Sequence, residues 1–67
     1  QNEAQYGIAL AEAGRYSEAV SHLEAGLSVL PEKAPLILKY LARTYRALGE
    51  DVKADEALEI METMKQE

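Results

Sequence analysis

In residues 11–33, AEAGRYSEAVSHLEAGLSVLPEK, an apolar beat halts at Gly14, resumes two residues later and halts again at Pro31. Upstream of the glycine, Tyr6, Ala9, Leu10 and Ala13 recur at the i, i+3, i+4, i+7 spacing that aligns side chains on one face of a helix. Gly14 ends that run because a glycine just past a helix adopts the left-handed conformation that closes the last carbonyls. Tyr16, Ala19, Val20, Leu23, Leu27 and Leu30 then form a second stripe, with Ser17 as the expected N-cap. Pro31 lacks the N–H that another helical turn needs. Two helices separated by so short a turn are predicted to pack antiparallel.

The same programme runs again downstream. Leu38, Leu41, Ala42, Tyr45 and Leu48 make a third stripe behind Pro35, which suits a first helical turn, and Gly49 stops it. Asp51 is the expected cap of a fourth helix whose apolar face reads Ala54, Ala57, Leu58, Met61 and Met64. Glu56, Glu59 and Glu62 are left for water. With an offset of 35, Leu10 falls on Tyr45, Gly14 on Gly49, Ala19 on Ala54 and Leu23 on Leu58. A helix–turn–helix unit repeated at this period implies a solenoid, in which each unit hides its apolar face only against a neighbour.

Composition narrows the function classes. The 67 residues suffice for one small domain, and the absence of cysteine removes disulfides and thiolate metal sites. Twelve acids against seven bases give a net charge of −5, the wrong sign for a phosphate backbone, so no nucleic-acid partner is expected. No apolar run nears the roughly 18 residues of a bilayer span, and no membrane partner is expected. A chain opening on Gln1 reads as part of a longer protein, carrying a single domain over 1–67 with repeats at about 1–33 and 34–67. No nucleophile sits beside a base and no glycine-rich phosphate loop is present, so no enzyme activity and no cofactor are expected. His22 lies four residues after Glu18, but two potential ligands without a third do not make a metal site.

The spacing resembles the tetratricopeptide repeat, whose first helix carries a large residue, then Leu-Gly, then Tyr, and whose second carries Ala, then an aromatic, then Pro. Tyr6-Gly7, Leu10, Gly14, Tyr16, Ala19, Leu23 and Pro31 occupy those places in the first half, and Leu38, Leu41-Ala42, Tyr45, Gly49, Ala54 and Leu58 in the second. The resemblance implies an all-α fold of two antiparallel helix–turn–helix repeats stacked as a short right-handed solenoid. Several residues depart from the pattern. Glu3 replaces the first large residue and suggests a late or frayed start; Gly26 and Met61 stand where alanine is common; Gln66 replaces the second proline and suggests a longer last helix. The period is 35, one longer than usual, with the extra residue placed in the Pro31–Pro35 connector.

In arrays of this family the first helix of each repeat lines a concave groove that takes a peptide or a partner subunit. The resemblance assigns Ile8, Ala11 and Glu12, with Leu36, Lys39, Arg43, Arg46 and Ala47, to that groove. Ala4 and Ile8 stand where the family's carboxylate clamp has its lysine and asparagine, so that particular role is not implied. Lys39, Arg43 and Arg46 form one basic stripe at i, i+4, i+7, which suits a protein or peptide carrying acidic residues or a terminal carboxylate. A second reading is self-association as a homo-oligomer through an uncapped end at Leu58, Met61 and Met64. An RNA-reading pentatricopeptide array, which the period also resembles, requires a basic groove that this charge balance does not supply. An accessory domain of an enzyme is the remaining alternative.

Overall fold

A computed structural model describes residues 2–29 and 34–65. Four helices follow one another: α1 (Glu3–Glu12), α2 (Tyr16–Val29), α3 (Ala34–Ala47) and α4 (Asp51–Lys65). Among the described residues there is no strand. The stripe member Leu30, the stop expected at Pro31 and the helix extension expected at Gln66 lie outside the described residues.

The two turns are built alike. Gly14 and Gly49 take φ of 83° and 82°, a region that costs glycine nothing and any other residue strain. This lets Arg15 N–H donate back to Leu10 O at 2.9 Å and Gly14 N–H to Ala11 O at 3.1 Å. Glu50 N–H to Tyr45 O at 2.8 Å and Gly49 N–H to Arg46 O at 3.1 Å repeat the pattern. Both first helices therefore end in the same doubly bonded C-terminal motif. The following helices start earlier than expected, α2 by two residues and α4 by one. Arg15 O and Glu50 O accept from Ala19 N–H and Ala54 N–H, so Ser17 and Asp51 lie inside the first turn and are not caps.

The expected frayed start of α1 is corrected too. Asn2 is extended and its Oδ1 accepts from Gln5 N–H at 2.8 Å, which fastens the first turn, and Glu3 sits where a carboxylate favours the helix dipole.

Antiparallel pairing follows from which residues approach. A Cβ added to Gly7 would lie 2.8 Å from Leu23 Cγ, and one added to Gly26 would lie 2.9 Å from Ala4 Cα, so partners descend along α2 as they ascend α1. Gly26, a departure from the family pattern, is thus the point where the two backbones nearly touch. α3 pairs with α4 in the same way, and α3 also lies against α2 and, more narrowly, α1. The core is thin and alanine-rich: Ala4, Ala11, Ala19, Ala34, Ala42, Ala54 and Ala57 are buried around Leu10, Leu23, Ile37, Leu38 and Leu41.

Three expected stripes hold in most of their members, but that of α1 does not. Its buried face is Ala4, Gly7, Leu10 and Ala11, while Tyr6 is 47% exposed and Ala9 and Ala13 face out. The alternative face wins because glycine and alanine admit the close approach of α2 that a tyrosine would block. Leu48 and Met64, expected to face inward, are exposed, and Leu58 and Met61 are half-buried. Thr44 is a core residue the sequence did not reveal; its hydroxyl is satisfied by donating to Tyr40 O at 2.7 Å.

Candidate functional site

The residues assigned to the groove fall on α1 and α3, which touch. Ile8 is half-buried, Glu12 exposed and Ala11 buried; Leu36, Lys39, Arg43, Arg46 and Ala47 are all exposed. Ala11 is therefore a wall residue whose side chain offers little surface. Between the two helices, Ala11, Glu12, Tyr16, Tyr40 and Arg43 enclose a cavity of about 70 Å³. That volume is far below the several hundred Å³ of a small-molecule site but admits a few waters or the tip of one side chain.

The polar groups around this cavity are interlocked. Tyr40 Oη donates to Glu12 Oε2 at 3.0 Å, and the Arg43 guanidinium lies 5.6 Å from the centre of the Tyr40 ring. The hydrogen bond to Glu12 holds the Tyr40 hydroxyl above its ordinary pKa, since ionising it would place two anions in contact. A second bridge joins α3 to α2: Tyr45 Oη donates to a Glu24 carboxylate oxygen, and burial with that bond pushes the Tyr45 hydroxyl up strongly. The spacing of apolar residues gave no sign of these bridges, because the accepting carboxylates, Glu12 and Glu24, lie outside the stripes.

The basic stripe divides. Arg46 is engaged, with Nη2 3.2 Å from Asp55 Oδ1 and Nη1 3.9 Å from Asp51 Oδ1. Among the described residues no ion pair within 4 Å involves Lys39 or Arg43. Arg15–Glu18 and Lys53–Glu50 are exposed pairs at the starts of α2 and α4 and contribute little to stability.

His22 does not turn toward Glu18. Its Nδ1 lies 2.5 Å from Glu3 Oε1, and its ring meets the edge of Tyr6 with centroids 4.6 Å apart. The histidine thereby ties α2 to the start of α1. Among the described residues, no group of three or more His, Asp or Glu side chains is arranged to hold a metal, and no helix is long and apolar enough to cross a membrane.

At the far side of α3, Lys39, Ala42, Arg43, Arg46, Ala47 and Leu58 line an open depression between α3 and α4. A neighbouring hollow on α4 is lined by Asp55, Leu58, Glu59, Glu62 and Thr63. Of the residues assigned to self-association, Leu58 lies at this junction, while Met61 and Met64 continue along α4.

Comparison with known proteins gave no match, whether with family models, curated sequences or solved structures.

Proposed function

We propose that this chain is a non-catalytic protein-interaction module of tetratricopeptide type, its two hairpins stacked as a short right-handed solenoid. It takes a peptide segment along the surface shared by α1 and α3. The supporting observation is the pair Lys39 and Arg43: both are exposed and outside any ion pair among the described residues, in a chain that carries a net charge of −5. Cations on the helix that also carries exposed Leu36 suit an extended or helical peptide with acidic side chains or a free carboxylate. The small cavity at Tyr16, Tyr40 and Arg43 accepts one side-chain tip or terminal group of that peptide.

The test is fluorescence anisotropy with a labelled, Asp-rich peptide bearing a free C-terminus, titrated with the 67-residue chain and with its Lys39→Glu/Arg43→Glu variant. Both positions are exposed, so the variant folds, as circular dichroism would verify. Losing two exposed ion pairs and adding repulsion weakens binding by about tenfold or more. Equal affinity for both forms, or no measurable binding by the parent chain, refutes the assignment.

A further inference from the structure

The small cavity between α1 and α3 has a hydrogen-bonding polarity that its volume does not convey. Tyr40 uses its only O–H proton on Glu12 Oε2, at 3.0 Å, and the upward shift of that phenol keeps the proton in place at neutral pH. The pair therefore presents acceptors: the lone pairs of Tyr40 Oη and the second carboxylate oxygen of Glu12, which receives no hydrogen bond among the described residues.

Arg43 supplies the opposite kind of group. Its guanidinium has donors only and lies 5.6 Å from the centre of the Tyr40 ring. Among the described residues it enters no ion pair within 4 Å and no side-chain hydrogen bond. Buried Ala11 and half-buried Tyr16 complete the lining. Glu12 and Arg43 thus border one cavity of about 70 Å³, oppositely charged and unpaired with each other.

This arrangement discriminates among side-chain tips. A carboxylate gains Arg43 but stands against Glu12, and an ammonium gains Glu12 but stands against Arg43. An alkyl tip strips water from both charges and pairs with neither. A carboxamide carries donors at one end and an acceptor at the other, so it matches both walls while remaining neutral, and it reproduces the bonds of the water it displaces. We infer that the cavity is a carboxamide site, which holds the side-chain amide of an Asn or Gln with its N–H groups on Glu12 and Tyr40 Oη and its carbonyl oxygen on Arg43. Glu12 is then the residue that sets specificity. Combined with the peptide reading above, on which this extension rests, the recognised segment places one neutral amide in the cavity and its acids beside Lys39.

NMR titration of the 67-residue chain with propionamide, propionate and propylammonium at matched ionic strength tests the site without any peptide. Propionamide should move the Arg43 Nε–H and Tyr40 resonances along a saturating curve, at about tenfold lower concentration than either ion. Glu12→Gln still accepts from Tyr40 but carries no charge, so it should bring propionate to within about twofold of propionamide. Parity of propionamide and propionate on the parent chain, no saturable shift with propionamide, or an unchanged preference in Glu12→Gln overturns the inference. Asp-rich peptides carrying Gln, Glu or Leu at each position in turn form the second arm. One position should favour Gln about tenfold over both alternatives, and a set that binds without such a position also overturns the inference. A set that does not bind at all removes the groove reading instead, while the propionamide titration still decides the amide site.

Discussion

Replacing Gly26 by alanine sets two measurable effects against each other. Alanine is favoured over glycine in a helix interior by about 1 kcal/mol, so propensity alone makes Gly26→Ala stabilising. The added methyl would, however, lie 2.8 Å from Ala4 Cβ, 2.9 Å from Ala4 Cα and 2.9 Å from Ala4 N. Two of these atoms are backbone, so no rotamer relieves the contact and α1 itself must move. Overpacking of that kind costs about 1–3 kcal/mol. The net expectation is destabilisation by about 1 kcal/mol, a fall in Tm of about 4–8 °C for a domain of this size. Ser28→Ala, at an exposed position of the same helix, supplies the propensity gain without the contact and should raise Tm slightly. Thermal unfolding followed by circular dichroism compares the three chains. A Gly26→Ala chain at least as stable as the parent would refute the claim that α1 and α2 meet backbone to backbone there.

Loss of the Asn2 cap in Asn2→Ala should cost about 1 kcal/mol, read as a lower urea midpoint with an unchanged slope. Gly49→Ala forces a side chain into φ 82° and should cost about 1–2 kcal/mol although space is open around it, a case in which strain acts without any clash. Because the Tyr45 hydroxyl is raised above its ordinary 10.0 in the folded chain, its stabilising effect is complete below pH 10 and is lost as pH climbs toward the folded value. Tm of the parent should therefore fall above pH 10, and that of Tyr45→Phe should fall less steeply over the same range. His22→Ala should loosen the start of α1, seen as faster amide exchange at Tyr6 and Gly7 with little change at α3.

Much of this architecture is legible in the residues, but unevenly. Gly14 and Gly49 mark both turns because a positive φ leaves so few alternatives. The third helix shows its inward Leu38, Leu41 and Ala42 because large apolar residues and cations alternate on it at helical spacing, but the equally buried Ile37 and Thr44 lie outside that stripe. The first helix misleads for a physical reason: six of its ten residues, Ala4, Tyr6, Ile8, Ala9, Leu10 and Ala11, are apolar, so more than one face satisfies the pattern. The choice between faces falls to Gly7, which a hydrophobicity count ignores and a packing argument favours. Of the surface assigned to a partner, Lys39 and Arg43 are visible from spacing alone. Arg46 belongs to the same row in the sequence, yet its engagement with Asp51 and Asp55 depends on the turn that folds α4 back beside it. The carboxylates that hold Tyr40 and Tyr45 lie 28 and 21 residues away from them, beyond the reach of any local periodicity.

Those two tyrosines also govern alignment. Set five residues apart on α3, they reach carboxylates on two different helices of the first hairpin, Glu12 on α1 and Glu24 on α2. Sliding α3 by one helical turn, about 5.4 Å, would carry both hydroxyls out of range together, and rotating it would unseat one before the other. A greasy seam lined with alanine has few knobs to resist such slippage. The pair of phenols acts as a two-pin latch: each pin adds little strength, but jointly they leave one way for the halves to mate.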